Sequence, residues 1–480
     1  MTVKRLFVFL FLLSLFAISV RETTDPDMWW HLRTGDYILN QGIPRQDVFS
    51  YTAIGHPWIT HEWLSQLLMW GLYQAGGLPV LILFTAVITT LTFWLIYQCC
   101  LGQPYLAAFI TLLSAITSAI VWGARPQLFN LFFFALFIYL LERWRSQRLP
   151  DRSLWLIPLV TILWANLHSG YLLGVVLLAV YALGEALQRY ASPSSSLPWL
   201  AVRRLFLVTV LAFVAAGINP NGPALWLYPF ATLGSGAMQS YIQEWHSPDF
   251  HLPIFWPFVG LMMLGVVGWG FSRQRPTWTE LLLFLGAFAA GLLSARHIPI
   301  FALVAAPIVC RHLLPAFAHT PLYSTLAGQR PDIKGVPAAN WLLVFIAFLG
   351  VVGWTGQTIL DNEETIASHF PVAAVDYLLA HDLAQARGYN SYGWGGYLIW
   401  RGLPVFVDGR ADLYGDDFLR FYRQTLELQP NWAEPLDQFG VQYVLIERGA
   451  PLAALLAIHH EWQAVYTDDI AQIFTRTPAP

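Results

Sequence analysis

The chain has 480 residues, 56% hydrophobic and only 11% charged, with a mean hydropathy of +0.51. A water-soluble domain carries about 25% charged residues, so most of this chain is built for lipid. A net charge of −3 excludes nucleic acid as a partner, since that would require a strongly basic face.

A bilayer span takes roughly 20 apolar residues, and eleven segments read as spans. In chain order they are Leu6–Val20, Leu78–Gln98, Pro104–Trp122, Gln127–Leu141, Leu154–Leu167, Tyr171–Leu187, Leu205–Ile218, Leu252–Phe271, Glu280–Ser294, Ile298–Cys310 and Trp341–Leu360. Lys and Arg concentrate in alternate connections: Lys4 and Arg5, then Arg143 to Arg152, and later Arg189, Arg203, Arg204, Arg273, Arg275, Arg311, Arg330 and Lys334. The opposite loops hold only Arg21, Arg33, Arg45, Arg125 and Arg296. Positive charge stays on the cytoplasmic side, which puts the N-terminus inside and everything after Asp361 outside. The first segment reads as a retained helix rather than a cleaved leader, because cleavage would upset this topology. Cys99, Cys100 and Cys310 fall at cytoplasmic helix ends, so no disulfide framework is implied.

The expected organisation is a first transmembrane helix (1–20), a first outer loop (21–77), a helical bundle (78–360) and a small extracytoplasmic α/β domain (361–480). The fold class is thus a mainly α polytopic membrane protein with an outer α/β appendage, placed in a bacterial inner membrane. Residues 21–77 are too long and too rich in Trp, His and acids for a mere connector. Within them Trp63–Tyr73 reads as an interfacial helix ended by Gly76 and Gly77. The stretches Ser192–Ser196 and Gly328–Pro337 read as flexible inner connectors. Beyond residue 361, short runs at Tyr397–Trp400, Val405–Asp408, Tyr443–Glu447, Ala464–Tyr466 and Ala471–Thr475 read as strands. Pro371–His381, Asp416–Leu428 and Pro451–His459 read as helices among them.

Ionisable groups at membrane depth are costly and mark function. Here polar residues gather at the outer helix ends, among them Asp25, Asp27, His61, Glu62, Arg125, Asn166, His168, Glu244, His246, Arg296 and His297. The most specific signal is Asp25–Gly42, DPDMWWHLRTGDYILNQG: acids just beyond the first span, the aromatic pair Trp29 and Trp30, an amphipathic run, and a terminating glycine.

This segment resembles the first outer loop of C-type (GT-C) glycosyltransferases. Protein O-mannosyltransferases and aminoarabinose transferases carry an acid pair, aromatics, then Ile-Leu-x-x-Gly. Asp27, Trp29, Trp30, Ile38, Leu39 and Gly42 fall on that spacing. The run Asp27–Arg33 is also similar to a stretch of oligosaccharyltransferase catalytic subunits. His56-Pro57-Trp58 through Gly76 is similar to the family's next element, and Arg125 stands where many members carry an Arg. Tyr392-Gly393-Trp394-Gly395-Gly396-Tyr397 is faintly similar to the oligosaccharyltransferase acceptor motif but lacks its Asp. The family's Asp-Glu pair is Asp27-Met28 here, which leaves the second acid to Asp25 or Glu62.

The resemblance implies transfer of a sugar from a polyprenyl-phosphate donor to an acceptor on the outer face. Such chemistry needs a base for the acceptor, and Asp27 is the candidate. It needs cations for the lipid phosphate, for which Arg125 and Arg296 are suited, with His297 as neighbour. Trp29, Trp30, His61, Trp394 and Asp408 are candidate sugar or acceptor contacts, although an internal pair of Asp408 with Arg410 explains that acid as well. A divalent cation among Asp25, His61 and Glu62 is compatible with the residue types, without the ligand spacing of a metal motif. No cofactor is otherwise implied, and there is no Gly-rich nucleotide fingerprint. Membrane lipid is a partner by construction, and the sugar and acceptor are not readable. Two rival readings are a flippase for lipid-linked sugars and a non-catalytic scaffold with an outer binding domain.

Overall fold

The computed structural model describes residues 1–330 and 336–477. Lys334 and part of the second inner connector lie outside the described residues. The bundle begins with α1 (Val3–Ser19), started by the Thr2 side chain accepting from the Arg5 amide. Helix α2 (Pro26–Gln41) follows, with Asp25 as its cap: the carboxylate accepts the Asp27 N–H at 3.0 Å, and Pro26 sits at the first position, where a missing N–H costs nothing. Helix α3 (Trp63–Cys99) contains both the expected interfacial helix and the second expected span. They join through a bend at Gly76 and Gly77, and the φ of 68° at Gly77 is one that a side chain would resist.

The bundle continues through α4 (Tyr105–Ser118), α5 (Gln127–Arg145), α6 (Leu156–Leu167), α7 (Tyr171–Ala191), α8 (Trp199–Ala215), α9 (Ala224–Gly234), α10 (Gly236–Tyr241), α11 (Trp256–Phe271), α12 (Trp278–Leu293), α13 (Ile298–Ala316), α14 (Tyr323–Leu326) and α15 (Pro337–His369). Each of the eleven expected spans falls on one of these helices. Among the described residues, six helical stretches are long and apolar enough to cross a membrane: Trp63–Cys99, Gln127–Arg145, Tyr171–Ala191, Pro253–Phe271, Ala295–Ala316 and Pro337–His369. Helix α13 is buried almost throughout and forms the bundle axis. Helix α15 is apolar on nearly all sides yet exposed, the pattern of a lipid-facing helix. At the inner ends, arginines are tied to acids between helices: Arg311 to Glu142 at 2.6 Å and to Glu280 at 2.5 Å, and Arg145 to Glu185 at 2.7 Å.

Beyond α15 the chain forms α16 (Val372–Ala380), β1 (Gly388–Asn390), α17 (Gly395–Trp400), α18 (Ala411–Leu426), α19 (Glu434–Gln438), β2 (Tyr443–Glu447), α20 (Pro451–Leu456), β3 (Trp462–Thr467) and β4 (Ala471–Arg476). The sheet runs β1-β2-β4-β3, with β1 and β2 parallel and the other pairs antiparallel. Two expected strands are corrected. Tyr397–Trp400 lies in helix α17, because Trp29 and Phe370 pack on Tyr397 from one side and a helical turn supplies that face. Val405–Asp408 pairs with nothing in this sheet, and its only bridge joins Val405 to Ser50 of the first outer loop.

That bridge shows how the outer half is built. Residues 21–77 and the C-terminal segment share one hydrophobic core, in which Met28, Trp29, Trp30, Leu32 and Trp58 pack with Phe370, Tyr397, Val405, Phe406 and Val407. A second core fills the bundle. The Thr52 hydroxyl donates to the Phe406 carbonyl at 2.6 Å, and the Tyr51 amide to the Val405 carbonyl at 3.2 Å. The loop and the C-terminal unit are therefore a single packed body.

Candidate active site

Helix α2 begins at the bundle's outer rim, and its cap presents two carboxylates toward one guanidinium. Nε of Arg125 lies 3.1 Å from Asp25, Nη1 lies 3.7 Å from Asp27, and Nη2 donates to Glu244 at 2.5 Å. Trp30 donates its indole N–H to the other oxygen of Asp27 at 3.0 Å, one helical turn along. Burial raises the Asp27 carboxyl to about 7, helped by the negative Asp25 and offset in part by Arg125 and the Trp30 bond. Burial opposes the charge on Arg125, but Asp25, Glu244 and Asp27 overcome it and hold the guanidinium protonated. Three acids thus surround the guanidinium, and its one hydrogen bond among the described residues goes to Glu244. Arg296 makes no hydrogen bond among the described residues: it stacks 5.1 Å over the Trp245 ring, and its nearest acid is Glu244 at 4.0 Å.

The second group is a carboxylate ringed by imidazoles. Glu62 lies 3.4 Å from Nε2 of His61, 3.4 Å from Nε2 of His168 and 3.7 Å from Nε2 of His31. The partners on the other ring nitrogens settle the protonation. Nδ1 of His168 accepts the Gly170 N–H at 2.8 Å, and Nδ1 of His31 faces the Gln66 amide nitrogen at 3.3 Å. Both rings are therefore neutral and direct Nε2–H at Glu62. His61 differs, because its Nδ1 faces the Ile59 carbonyl at 3.2 Å and its Nε2 faces Glu62. With acceptors on both sides, it is the ring of the three best placed to hold a second proton. Burial lowers His31 to about 3 and His168 to about 4, whereas Glu62 overcomes burial at His61 and raises it. Burial disfavours the Glu62 anion, but the imidazoles prevail and hold it ionised far below the usual carboxylate range. Glu62 is thus a saturated anion rather than a free acid or base.

Both groups face one cavity of about 650 Å³. Asp25, Asp27, Trp30, His61, Glu62, Arg125 and Arg296 all line it, so residues from four stretches of chain meet. The far wall comes from the C-terminal unit, with Tyr392, Gly409, Asp412 and Arg423. Asp412 is raised by burial and takes a hydrogen bond from Tyr228. Four expected contacts do not line this cavity. Trp29 is buried against Phe370, Tyr397 and Trp400, and Trp394 is buried with its N–H on the His369 carbonyl. His297 is half-buried and Asp408 fully buried, both outside the cavity lining. Asp408 binds Arg410 through both its oxygens, at 2.8 and 2.7 Å, and Arg410 also reaches Asp47 at 2.6 Å. The aromatic and acidic contacts thus serve the shared outer core. Sequence reasoning missed His31, Tyr228, Asp412 and Arg423 as cavity residues, and singled out Glu244 and His168 only as polar residues at helix ends. Among the described residues no cluster of His, Cys, Asp and Glu has the geometry of a metal site.

Gly409 touches Asp27 so closely that a Cβ there would fall 1.9 Å from its Oδ1. Gly409→Ala should therefore displace the carboxylate or lift the turn. Its expected signature is at least a tenfold loss of activity with normal membrane insertion, measured on purified protein.

No family model matches the chain, and no curated protein matches it in sequence. Solved folds do. The archaeal oligosaccharyltransferase AglB from Archaeoglobus fulgidus, in complex with an inhibitory peptide and a dolichol-phosphate, superposes with a TM-score of 0.56 at 12% identity, over 99% of this chain and 74% of that one. An Archaeoglobus fulgidus oligosaccharyltransferase tethered to an acceptor peptide gives 0.51 at 13%, over 99% and 74%. The arabinofuranosyltransferase AftD from Mycobacteria gives 0.54 at 12%, over 100% of this chain but 40% of its own. These structural neighbours are GT-C glycosyltransferases, and theirs is the fold of this chain: a mostly helical, multi-pass membrane protein with a small C-terminal sheet.

Proposed function

We propose that the protein is a membrane glycosyltransferase that moves a sugar from a polyprenyl-phosphate carrier to an acceptor on the extracytoplasmic face. The observation that carries this reading is the convergence of Asp27, Glu62, Arg125 and Arg296 on one cavity. In this reading eleven spans place the N-terminus in the cytoplasm, and the bundle (78–360) carries the body formed by 21–77 and 361–480 outside.

Asp27 takes the acceptor's proton as its nucleophilic atom attacks the anomeric carbon, and the carbon–oxygen bond to the lipid phosphate breaks. Arg125 organises Asp25, Asp27 and Glu244. Arg296, which makes no hydrogen bond among the described residues and has only Glu244 near it at 4.0 Å, receives the departing phosphate. Trp30 orients Asp27 through its second oxygen. The Glu62–imidazole group holds the His61 ring at the cavity wall.

The pH dependence has a defined sign. Asp27 works as the anion and its carboxyl is raised to about 7, so transfer should fall about tenfold per pH unit below 7 and level off above it. Single-turnover rates from pH 5.5 to 8.5 test this. A rate that stays flat down to pH 5.5 removes Asp27 as the base. Membranes supplied with radiolabelled polyprenyl-phosphate sugars provide the activity assay.

A further inference from the structure

Among the described residues two buried N–H groups in the cavity wall lack acceptors and a neighbouring guanidinium makes no hydrogen bond, and all three surround one short segment. The guanidinium of Arg296 stacks on Trp245, whose own indole N–H is buried without a partner. Arg423 of α18 stacks 4.3 Å over Tyr241, and its Nε is likewise buried without a partner while Nη2 pairs with Glu427. Tyr241 and Trp245 belong to the same stretch, and that stretch is fixed at both ends. Asp416 of α18 accepts from Ser235 at 2.5 Å and from the Gly236 and Ala237 amides at 3.0 and 3.2 Å. At the other end the Ala295 amide donates to the His246 carbonyl at 2.9 Å, and the Ser294 hydroxyl to the Glu244 carbonyl at 3.0 Å. One clamped segment therefore holds a guanidinium from the bundle and another from the C-terminal unit, both facing the same cavity.

Stacking on an aromatic face fixes a guanidinium's plane while leaving its edge free for oxyanions. A buried N–H without an acceptor is costly, so two such groups beside the half-exposed Arg296 guanidinium mark a place suited to ligand oxygens. We propose that Arg423, together with Arg296 and the Trp245 N–H, forms a two-guanidinium cradle for a diphosphate, so that the lipid carrier bears two phosphoryl groups. The inference rests on the donor reading above and extends it. Arg296 holds the phosphoryl group bonded to the sugar, and Arg423 the second one.

The test uses the full chain in detergent micelles and two free carriers, undecaprenyl phosphate and undecaprenyl diphosphate, with binding measured by calorimetry in EDTA. The wild type should bind the diphosphate at least tenfold more tightly than the monophosphate. Arg423→Gln should erase that preference, weakening diphosphate binding about tenfold and monophosphate binding less than twofold. Glu427→Gln frees Nη2 of Arg423 and should tighten diphosphate binding severalfold, which a merely disrupted fold would not do. Equal or tighter monophosphate binding by the wild type, or a preference unchanged in both variants, overturns the cradle but leaves the transferase reading standing. Failure to bind either carrier, or binding of both that Arg296→Gln leaves intact, overturns the donor reading as well.

Discussion

Asp27→Asn should lower transfer by roughly 10²–10⁴-fold, the range a positioned general base contributes, without loss of folded protein. The amide keeps the size of the carboxylate and can still accept the Trp30 indole N–H. Arg125 retains Asp25 and Glu244. The stability sign separates a catalytic role from a structural one. Asp27 has its folded-state carboxyl raised to about 7 against an ordinary value near 3.8, so its contribution to stability is complete below about 4 and lost as pH rises through 7. Asparagine never ionises, so at pH 8 the variant should melt at the wild-type temperature or above it. Melting curves at pH 5.5 and 8 beside the transfer assay give both readouts. Full turnover in the variant, or a lower melting temperature at pH 8, would sink the assignment.

Arg410→Met should have the largest effect on stability. Arg410, Asp408 and Asp47 are all buried, and the guanidinium also lies over the rings of Trp58 at 4.7 Å and Phe49 at 5.3 Å. This triad joins the first outer loop to the turn that carries Gly409 to Asp27. Removing one partner of a buried ion pair costs about 3–5 kcal/mol, because the remaining charges stay in the interior without water. Methionine fills the space and keeps contact with the rings, but leaves two carboxylates facing each other. The unfolding temperature of the outer body should fall by roughly 6–20 °C, at about 2–4 °C per kcal/mol for a unit of this size. Limited proteolysis should cut first between α15 and α18. Adding Asp47→Asn and Asp408→Asn to Arg410→Met should recover much of the loss, since no uncompensated charge then remains. A single variant as protease-resistant as wild type would show that the triad does not hold the two segments together.

The sequence by itself determined where the apolar helices lie and which polar residues share the cavity. Apolar run length is a local property, so all eleven expected spans coincide with helices. Asp25 and Pro26 wrote the start of α2, and Gly76 and Gly77 wrote the bend in α3, because caps and glycines act within a turn of themselves. Asp27, Glu62, Arg125 and Arg296 were legible as site residues from their position at outer helix ends. Only the tertiary structure decided which polar groups are free and which are spent. Arg125 read as a phosphate ligand until three carboxylates from separate stretches were seen around it. Glu62 read as a spare acid until three imidazoles were seen to share it, and two of those lie far away in the chain. Asp408 read either as a sugar contact or as half of a pair with Arg410; the pair is present, and only the tertiary structure ties it, through Arg410, to a loop more than three hundred residues earlier. A side chain's chemistry depends on its burial and its partners, and both are set by contacts between segments that no local pattern encodes.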